Sequence, residues 1–454
     1  MLNLFERFRQ VRARTERLCE SLLPEDHCIQ SMPDVSPPKW HLAHTTWFFE
    51  EFCANAGLAT PERFNPSFDF LFNSYYKTKG AHYERTQRGL LARPGVREIA
   101  RYRSAVNERI LKMLAVTGGE KRIEESTAVL SGQRAPDEHP SDFLTLIELG
   151  LHHEQQHQEL LLTDIKHIFG TNPLHPVYLE STPPHPHAVA TRVSRWVDFA
   201  GGKVEIGNAG PGFRFDNEGP RHTVWLEPFA LAAQLVNQGE FLEFIAAGGY
   251  RQPALWLSDG WDWKEREQIE APLYWQKTGT EWNVFTLHGL RALDPTAPVC
   301  HLSFYEADAF AKWRGARLPT EEEWEWACLG AGATDGTVEP SIYHPQPAAE
   351  RAPLAPPTAV ASARELQQLF GEVWQWTQSP YHPYPRFQPL VGTLGEYNGK
   401  FMCNQMVLRG SSRATPPGHS RPTYRNFFPP TARWQFSGLR LAQNRPGEMA
   451  DGTY

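Results

Sequence analysis

Apolar residues recur at helical spacing in four stretches of the first 170 residues: 1–23, 41–56, 97–116 and 141–169. The last stretch follows Pro140, offers Ser141 or Asp142 as N-cap, and reaches Gly170 as a stop signal. Helices of this kind, joined by long connections, are typical of a bundle. The pattern therefore predicts a four-helix bundle over residues 1–170.

The pattern changes after the bundle. Residues 171–192 carry five prolines and no periodicity, which predicts a linker. FAGGKVEIG and RHTVWLEPFAL alternate like short strands, whereas VNQGEFLEFIAAG and SFYEADAFAKWRG have the period of short helices. Thr320 and Glu323 form a capping-box pattern that predicts another helix start. We expect an α+β domain over 193–445 and a tail over 446–454, so the fold class is multidomain, α plus α+β.

Composition excludes several classes of function. The chain has 454 residues and a net charge of −7, whereas proteins that bind nucleic acid usually carry a basic excess. No run of about 18 apolar residues exists to span a membrane. The first residues resemble an amphipathic helix rather than a signal peptide, and the six cysteines are scattered without a CxxC pair. We therefore expect a cytoplasmic protein with reduced thiols and small-molecule partners.

The most informative string is HHEQQHQE, which places His153 and His157 one turn apart on one helix face. Two imidazoles so spaced can bind one metal ion, although such a pair can also be ordinary buried polar residues. Gly150, one turn earlier, leaves room for another element to approach closely. The string also fits the zinc-protease pattern with Glu154 as general base, but the downstream spacing of a third ligand is missing.

A third ligand is available in SPPKWHLAHTTWFFE, where His44 lies on the apolar face of the second predicted helix. Alone, His44 would more often be a hydrogen-bonded core histidine. Together with the pair on the fourth helix it can complete a three-histidine site. Three such nitrogens suit both Fe(II) with O2 and zinc hydrolysis, so the ligand set leaves the metal open.

The motifs together resemble a known family. SPPKWHLAHTTWFFE, FNSYYKTKG, RGLLARPG and HHEQQHQE in the first half, with NEGPRHTVWLEPFAL, RLPTEEEWEWA, GEVWQWTQSPY and FSGLRLA in the second, resemble the ergothioneine-biosynthesis sulfoxide synthases (EgtB-type). The resemblance covers nearly the whole chain. It implies a DinB-like four-helix bundle followed by a domain like the formylglycine-generating enzymes, with a C-type-lectin-like fold.

The resemblance also implies the chemistry. Members use non-heme Fe(II) and O2 to join the sulfur of cysteine or γ-glutamylcysteine to the imidazole C2 of hercynine, with oxidation to the sulfoxide. Carried over by motif, the iron ligands are His44, His153 and His157, and Gln156 contacts hercynine. A glutamine amide beside the metal face can hydrogen-bond an imidazole or a carboxylate.

Five further residues of the implied site lie in the second half. Tyr381 and Tyr384 in SPYHPY match tyrosines that line the family's active site, with Tyr381 near the reacting oxygen. Asn426 and Phe427 in YRNFF match positions near the hercynine carboxylate and its trimethylammonium, which an aromatic face holds by cation–π attraction. Phe428 is a substrate contact or a core residue.

Two positions bear on the sulfur substrate. Members that use γ-glutamylcysteine resemble one another in an Asp and an Arg where this chain has Phe428 and Ala432, and Arg433 is one register off. We therefore expect free cysteine as the sulfur donor and keep γ-glutamylcysteine as the alternative.

Tyr75, Tyr76 and Arg88 resemble the cysteine-using branch of the family, in which the tyrosine pair faces the active site. The sequence leaves open whether Tyr76 or Tyr381 is the catalytic donor. Arg88 pairs with a substrate carboxylate or, in the simpler interpretation, forms a surface ion pair.

Other functions remain as alternatives. They are an ovothiol-type synthase that makes 5-histidylcysteine sulfoxide, a zinc hydrolase built on Glu154, and a lectin-like binding module. The resemblance to the formylglycine-generating enzymes does not extend to their chemistry, because those enzymes need a cysteine pair near the C-terminus and no cysteine follows Cys403.

Overall fold

The computed structural model describes residues 3–55, 61–117, 143–180, 195–334, 342–348, 363–390 and 392–446. The chain forms two compact units. The first comprises Met1–Leu179 with two later segments, Ala209–Pro220 and Arg386–Lys400. Both segments fall within the range 193–445 predicted for the second domain, and the apolar pattern carries no signal for this exchange. The predicted N-caps Ser141 and Asp142 lie outside the described residues.

The first unit is helical. Its helices are α1 (Leu4–Arg17), α2 (Pro38–Phe48), α3 (Phe68–Phe72), α4 (Val96–Val116) and α5 (Phe143–Thr171). A π-helical turn, Phe49–Ala54, continues α2. The helix α2 packs against α4 and α5, and α1 packs against the same two helices. The four long helices match the four predicted stretches.

The local sequence explains these helices. The side chain of Asn3 accepts a hydrogen bond from the Glu6 amide at 2.9 Å and caps α1. In α4, buried residues at helical spacing form one apolar face, from Ile99 to Leu114. Between Thr145 and Phe169 every residue of α5 except Gln156 and Leu160 is buried, polar residues included, which makes it the central element of the bundle.

The expected close approach at Gly150 is confirmed. A Cβ atom built on Gly150 would lie 2.6 Å from a ring carbon of Phe49, so any side chain here would displace that ring. Phe49 is the first residue of the π-helical turn. The glycine therefore lets α2 and its continuation lie directly on α5, two residues before the HHEQQH string begins.

The second unit is an α+β fold. Its strands are β1 (Trp196–Phe199), β2 (Gly202–Ile206), β3 (His222–Leu226), β4 (Phe229–Ala232), β5 (Trp275–Thr278), β6 (Glu281–Thr286), β7 (Gly289–Ala292), β8 (Trp374–Pro380), β9 (Met406–Gly410), β10 (Asn426–Phe428), β11 (Ser437–Gly438) and β12 (Ala442–Asn444). Its helices are α6 (Gln238–Ala246), α7 (Ser258–Arg266), α8 (Phe304–Trp313) and α9 (Glu321–Ala331).

The strands form small sheets. In the largest, β10-β9-β8-β11, neighbours pair antiparallel except β11, which is parallel to β8. A second sheet has the order β1-β4-β12, β2 and β3 form a hairpin, and β5-β6-β7 is a meander. The helix α9 packs on β2, β3, β8 and β9, and Trp324 on this helix is fully buried in the core.

In this unit the sequence predicts an element boundary correctly where a specific side chain fixes it. Thr320 caps α9 and forms the capping box with Glu323, as expected. RHTVWLEPFAL forms two strands rather than one, because Pro228 lacks the amide hydrogen that a continuous ladder needs. Among the described residues, no helix has both the length and the apolar character that crossing a membrane requires.

Candidate metal centre

The three predicted ligands lie together inside the first unit. His44 comes from α2, and His153 and His157 come from one face of α5. One ligand nitrogen of each lies within 4.8 Å of the others, and Nε2 of His44 is 3.2 Å from Nε2 of His153. The ring centroids of His153 and His157 are 4.6 Å apart. Among the described residues, these three histidines form the one group of three or more potential ligands close enough to hold a metal ion.

His44 is held firmly in place. Its Nδ1 donates a hydrogen bond to the Phe72 carbonyl oxygen at 2.6 Å, so its Nε2 carries the lone pair. The Trp40 ring stacks on its imidazole at a centroid distance of 4.6 Å. The hydrogen bond and the stacking together aim the Nε2 lone pair toward His153.

The ligand set fits a metal ion. Burial lowers the pKa of His153 to about 3, and burial followed by the charge of neighbouring histidines lowers the pKa of His44 and His157 well below the usual value. All three imidazoles are therefore neutral. The lone pairs of neutral imidazoles do not stabilise one another, whereas a divalent cation can accept a coordinate bond from each of them.

Glu154 faces away from this cluster. Its carboxylate accepts hydrogen bonds from Arg12, Arg103 and Thr15, and the charges of both arginines hold its pKa at about 2 in spite of burial. These bonds tie α5 to α1 and α4. They fix the rotation of α5, which presents His153 and His157 to α2.

Tyr75 and Tyr76 lie beside the cluster. The Tyr76 ring packs 5.9 Å from Trp47 and 5.1 Å from Phe52, centroid to centroid, and is fully buried. Burial raises the pKa of Tyr76 well above its usual value, and the neighbouring Tyr75 and Tyr397 raise it further. Tyr76 is therefore a protonated phenol at neutral pH.

Arg88 is buried, which removes the surface ion pair that was the simpler interpretation. Its guanidinium lies 3.3 Å from the centre of the Trp40 ring and donates hydrogen bonds to Ser36 and Ser74 hydroxyls. Its Nε is buried without a hydrogen-bond partner, and no described carboxylate forms an ion pair with it. Burial accordingly lowers its pKa well below the usual value.

Gln156 has a partner that the sequence did not indicate. The Tyr397 hydroxyl donates to Oε1 of Gln156, and the Tyr397 ring meets His153 edge-on at 5.8 Å. Tyr397 belongs to the segment Arg386–Lys400 of the first unit. It also lines a small cavity, with Leu149, Phe215 and Asp216 among the other walls.

The remaining predicted residues belong to the second unit. Tyr381 stacks face to face on Phe427, with centroids 4.0 Å apart, and Phe428 meets Trp434 edge-on. Asn426 begins β10. Tyr384 is part of a buried charge cluster: its hydroxyl donates to Glu321 at 3.2 Å, and Arg425 lies over its ring. Its surroundings are those of a structural residue, and its substrate role stays a prediction.

Sequence reasoning missed Tyr397 and also His41, whose Nδ1 lies 2.9 Å from Nδ1 of His157. Tyr397 is 241 positions from Gln156, and nothing in its local pattern marks it. His41 did carry a signal, since it lies one helical turn before His44 on the same helix.

Comparisons with known proteins agree with this architecture. Residues 182–445 match the sulfatase-modifying factor enzyme 1-like domain, and residues 7–161 match the DinB superfamily. These matches confirm the predicted fold class, a DinB-like helical domain followed by a domain like the formylglycine-generating enzymes.

Three curated relatives are informative. The hercynine oxygenase of Mycolicibacterium smegmatis is 32% identical over 95% of this chain and 96% of its own length. That of Mycobacterium tuberculosis is 31% identical with the same coverage. Ergothioneine biosynthesis protein 1 of Schizosaccharomyces pombe is 26% identical over 51% of this chain and 28% of its own length.

Proposed function

Because the chain belongs to the hercynine oxygenase family of ergothioneine-biosynthesis sulfoxide synthases, we propose that it joins the sulfur of cysteine to the imidazole C2 of hercynine. The cofactor is Fe(II) and the oxidant is O2. The S–H and C2–H bonds break, the C2–S and S–O bonds form, and the second oxygen atom leaves as water. The product is hercynylcysteine sulfoxide.

The convergence of three neutral, buried histidines carries this proposal. His44, His153 and His157 would hold the iron, which supplies one-electron chemistry with O2 when bound. Three protein nitrogens leave other coordination positions for substrates, and the buried position excludes bulk water from a reactive site. The same set also suits zinc, so metal identity is part of the experiment below.

The burial of Arg88 supports the proposal that a substrate carboxylate binds at this site. A buried guanidinium with no carboxylate partner is costly to the fold unless an anion completes its hydrogen bonds. Both cysteine and hercynine carry a carboxylate that could do so. The Trp40 ring beneath the guanidinium connects this residue to His44, since both pack on that ring.

Gln156 and two tyrosines complete the proposed roles. The hydrogen bond from Tyr397 orients the Gln156 amide, which we assign to hercynine. Tyr76 and Tyr381 are both proposed as the proton or electron donor, and Tyr75 as the neighbour that tunes Tyr76. A protonated phenol keeps its proton on the oxygen until the reaction requires it. Asn426, Phe427, Phe428 and Tyr384 remain proposed hercynine or sulfur-substrate contacts.

The surroundings of Arg433 support cysteine over γ-glutamylcysteine. Ala432 has no charge to offer, and the guanidinium of Arg433 donates to Glu306 at 3.0 Å and to the Ala271 carbonyl. Arg433 is therefore paired with a carboxylate of its own unit, which weighs against its taking over the missing arginine's role. Phe428 likewise supplies no carboxylate for a γ-glutamyl amine.

The geometry weighs against a zinc hydrolase. Such an enzyme needs Glu154 as a general base that reaches a metal-bound water. Here the Glu154 carboxylate is bound by Arg12, Arg103 and Thr15, and its low pKa makes it a weak base. No comparable observation favours the ovothiol-type reaction or a binding module.

A product assay by mass spectrometry tests the proposal. Protein prepared separately with Fe(II) and with Zn(II) is given hercynine and O2, with cysteine in one tube and γ-glutamylcysteine in another. We expect hercynylcysteine sulfoxide from the Fe(II) protein with cysteine. Product mainly from γ-glutamylcysteine would overturn the substrate assignment. Absence of O2 consumption with either thiol would overturn the proposed reaction.

A further inference from the structure

We propose that His41 and Asp164 are positioning residues that fix the tautomer of His157, so that its Nε2 is available to a metal ion. This inference rests on the three-histidine site proposed above and adds the residues that prepare it. Neither His41 nor Asp164 is a metal ligand in the proposal. They act through His157, by a hydrogen-bonded chain that runs from a carboxylate to the ligand.

The chain begins at Asp164, on the same helix as His157. Its Oδ2 accepts a hydrogen bond from the Ser36 amide at 2.8 Å. Nε2 of His41 lies 3.0 Å from the same oxygen, and both side chains are almost fully buried. An ionised carboxylate only accepts hydrogen bonds, so the hydrogen between these two residues is on Nε2 of His41.

The second step follows from the first. A neutral imidazole with its hydrogen on Nε2 has a lone pair on Nδ1. Nδ1 of His41 lies 2.9 Å from Nδ1 of His157, so a neutral His41 accepts the hydrogen between the two rings from His157. The remaining nitrogen of His157, Nε2, is then unprotonated and able to bind a metal ion.

The reverse arrangement would disable the ligand. If Nδ1 of His157 accepted a hydrogen bond, its hydrogen would be on Nε2 and that nitrogen could not bind. His44 receives an equivalent restraint from the Phe72 carbonyl, whereas Nδ1 of His153 is buried without a hydrogen-bond partner. Two of the three ligands are therefore oriented in advance, one by a backbone oxygen and one by the His41–Asp164 pair.

The test is metal affinity, which does not depend on activity. Zn(II) is titrated into metal-free protein in competition with a chelating dye, and Co(II) absorption reports the coordination. H41F and D164L remove the chain and should weaken Zn(II) binding about 10- to 100-fold. H41Q and D164N keep the acceptor and donor atoms and should stay within about threefold of the unchanged protein.

The matched control is H27F. His27 is also buried, in the short 3-10 turn Asp26–Cys28, and the charges that act on it are those of Asp26 and Lys39 and not that of Asp164. Its replacement should leave Zn(II) affinity unchanged. Thermal melting of each metal-free variant separates loss of binding from loss of folding.

Several results would overturn the inference. H41F with unchanged affinity would show that His157 needs no partner. Equal losses in D164N and D164L would show that charge, and not the accepting oxygen, is what matters. If H41F does not fold, the H41Q variant and the two Asp164 variants still decide the question. Unchanged protein that binds neither Zn(II) nor Co(II) would instead refute the metal site itself.

Discussion

The two units bury arginines in opposite ways. In the second unit, Arg409 and Arg425 share the carboxylates of Glu321 and Glu325, and Arg425 binds Glu321 through two nitrogens at 2.8 Å each. In the first unit, Arg88 is equally buried, but it donates to two hydroxyls and forms no ion pair with a described carboxylate, whereas an unbonded Nε is common to Arg88 and Arg409. The paired cluster stabilises a fold. The unpaired guanidinium, next to convergent neutral histidines, is where we propose that a substrate carboxylate binds.

The largest effect should come from the ligands themselves. His153→Ala removes one of three nitrogens, and we expect metal affinity to fall by more than about 100-fold, with sulfoxide formation at background. Competition titration and the product assay measure both. His152→Ala, one position away on the same helix, is the control. Full activity of the His153 variant would rule out this histidine as a ligand.

Breaking the paired cluster should cost stability and leave the metal centre intact. Glu321→Ala leaves Arg425 without its carboxylate partner and removes the more distant of the two that face Arg409, and we expect a loss of about 3–5 kcal/mol in the free energy of unfolding. Glu322→Ala, half-exposed on the same helix, should cost below about 1 kcal/mol. Denaturant titration measures both variants. Equal stability of the two would show that the buried cluster contributes nothing.

Removing the unpaired charge should do the opposite. Arg88→Met should leave the melting temperature unchanged or higher, because it removes a buried guanidinium that lacks a carboxylate. The KM of the substrate whose carboxylate it binds should rise about 10- to 150-fold, the equivalent of about 1.5–3 kcal/mol for a charged hydrogen bond. Steady-state kinetics with each substrate varied identifies which one. Arg85→Met, at the exposed neighbour, is the control; a drop in melting temperature with unchanged KM would make Arg88 structural.

As pH falls, the metal-free first unit should lose stability at a higher pH than the second unit. Burial depresses the pKa of His153 from 6.5 to about 3, so the unfolded chain binds its proton first. The contribution of such a histidine to the free energy of unfolding is fully present above pH 6.5. It falls by about 1.4 kcal/mol per pH unit as pH drops toward 3. Burial alone would raise the pKa of Glu321, but the charges of Arg425 and Arg409 outweigh burial and lower this pKa from 4.5, so the contribution of Glu321 to stability falls only below pH 4.5.

Unfolding of the metal-free protein, followed by melting at pH values from 8 to 5, tests this order. His153→Phe should flatten the dependence, and added Zn(II) should lower the midpoint pH of the loss. A melting temperature that is constant between pH 7 and 5.5 would contradict the neutral, buried state of these histidines.

The smallest expected change is in product ratio. Tyr76→Phe or Tyr381→Phe should shift product from sulfoxide toward cysteine sulfinate, because the phenol that donates a proton or electron is gone while substrate binding remains. Mass spectrometry of the two products measures the ratio. Tyr83→Phe, at a half-buried phenol outside the site, is the control. Unchanged ratios in both variants would refute the tyrosine role.

Much of this architecture was predictable because its signals are local. The helical period, the capping box at Thr320 and the glycine opposite Phe49 each depend on a few neighbouring residues. The burial of Arg88 was not predictable, because it depends on the Trp40 ring, which is distant in sequence. The role of Tyr397 was not predictable either, because its contact with Gln156 forms only when a late segment of the chain folds onto the first unit.

That late segment also sets the order of assembly during synthesis. The helices of the bundle are complete at Thr171, but Tyr397 and the Asn398 partner of Asp216 leave the ribosome 226 or more residues later. At about 5–20 residues per second, the nascent bundle waits about 10 to 45 s for them. Throughout that interval the cavity that Tyr397 lines together with Leu149 and Phe215 lacks one wall, which the last quarter of the chain supplies.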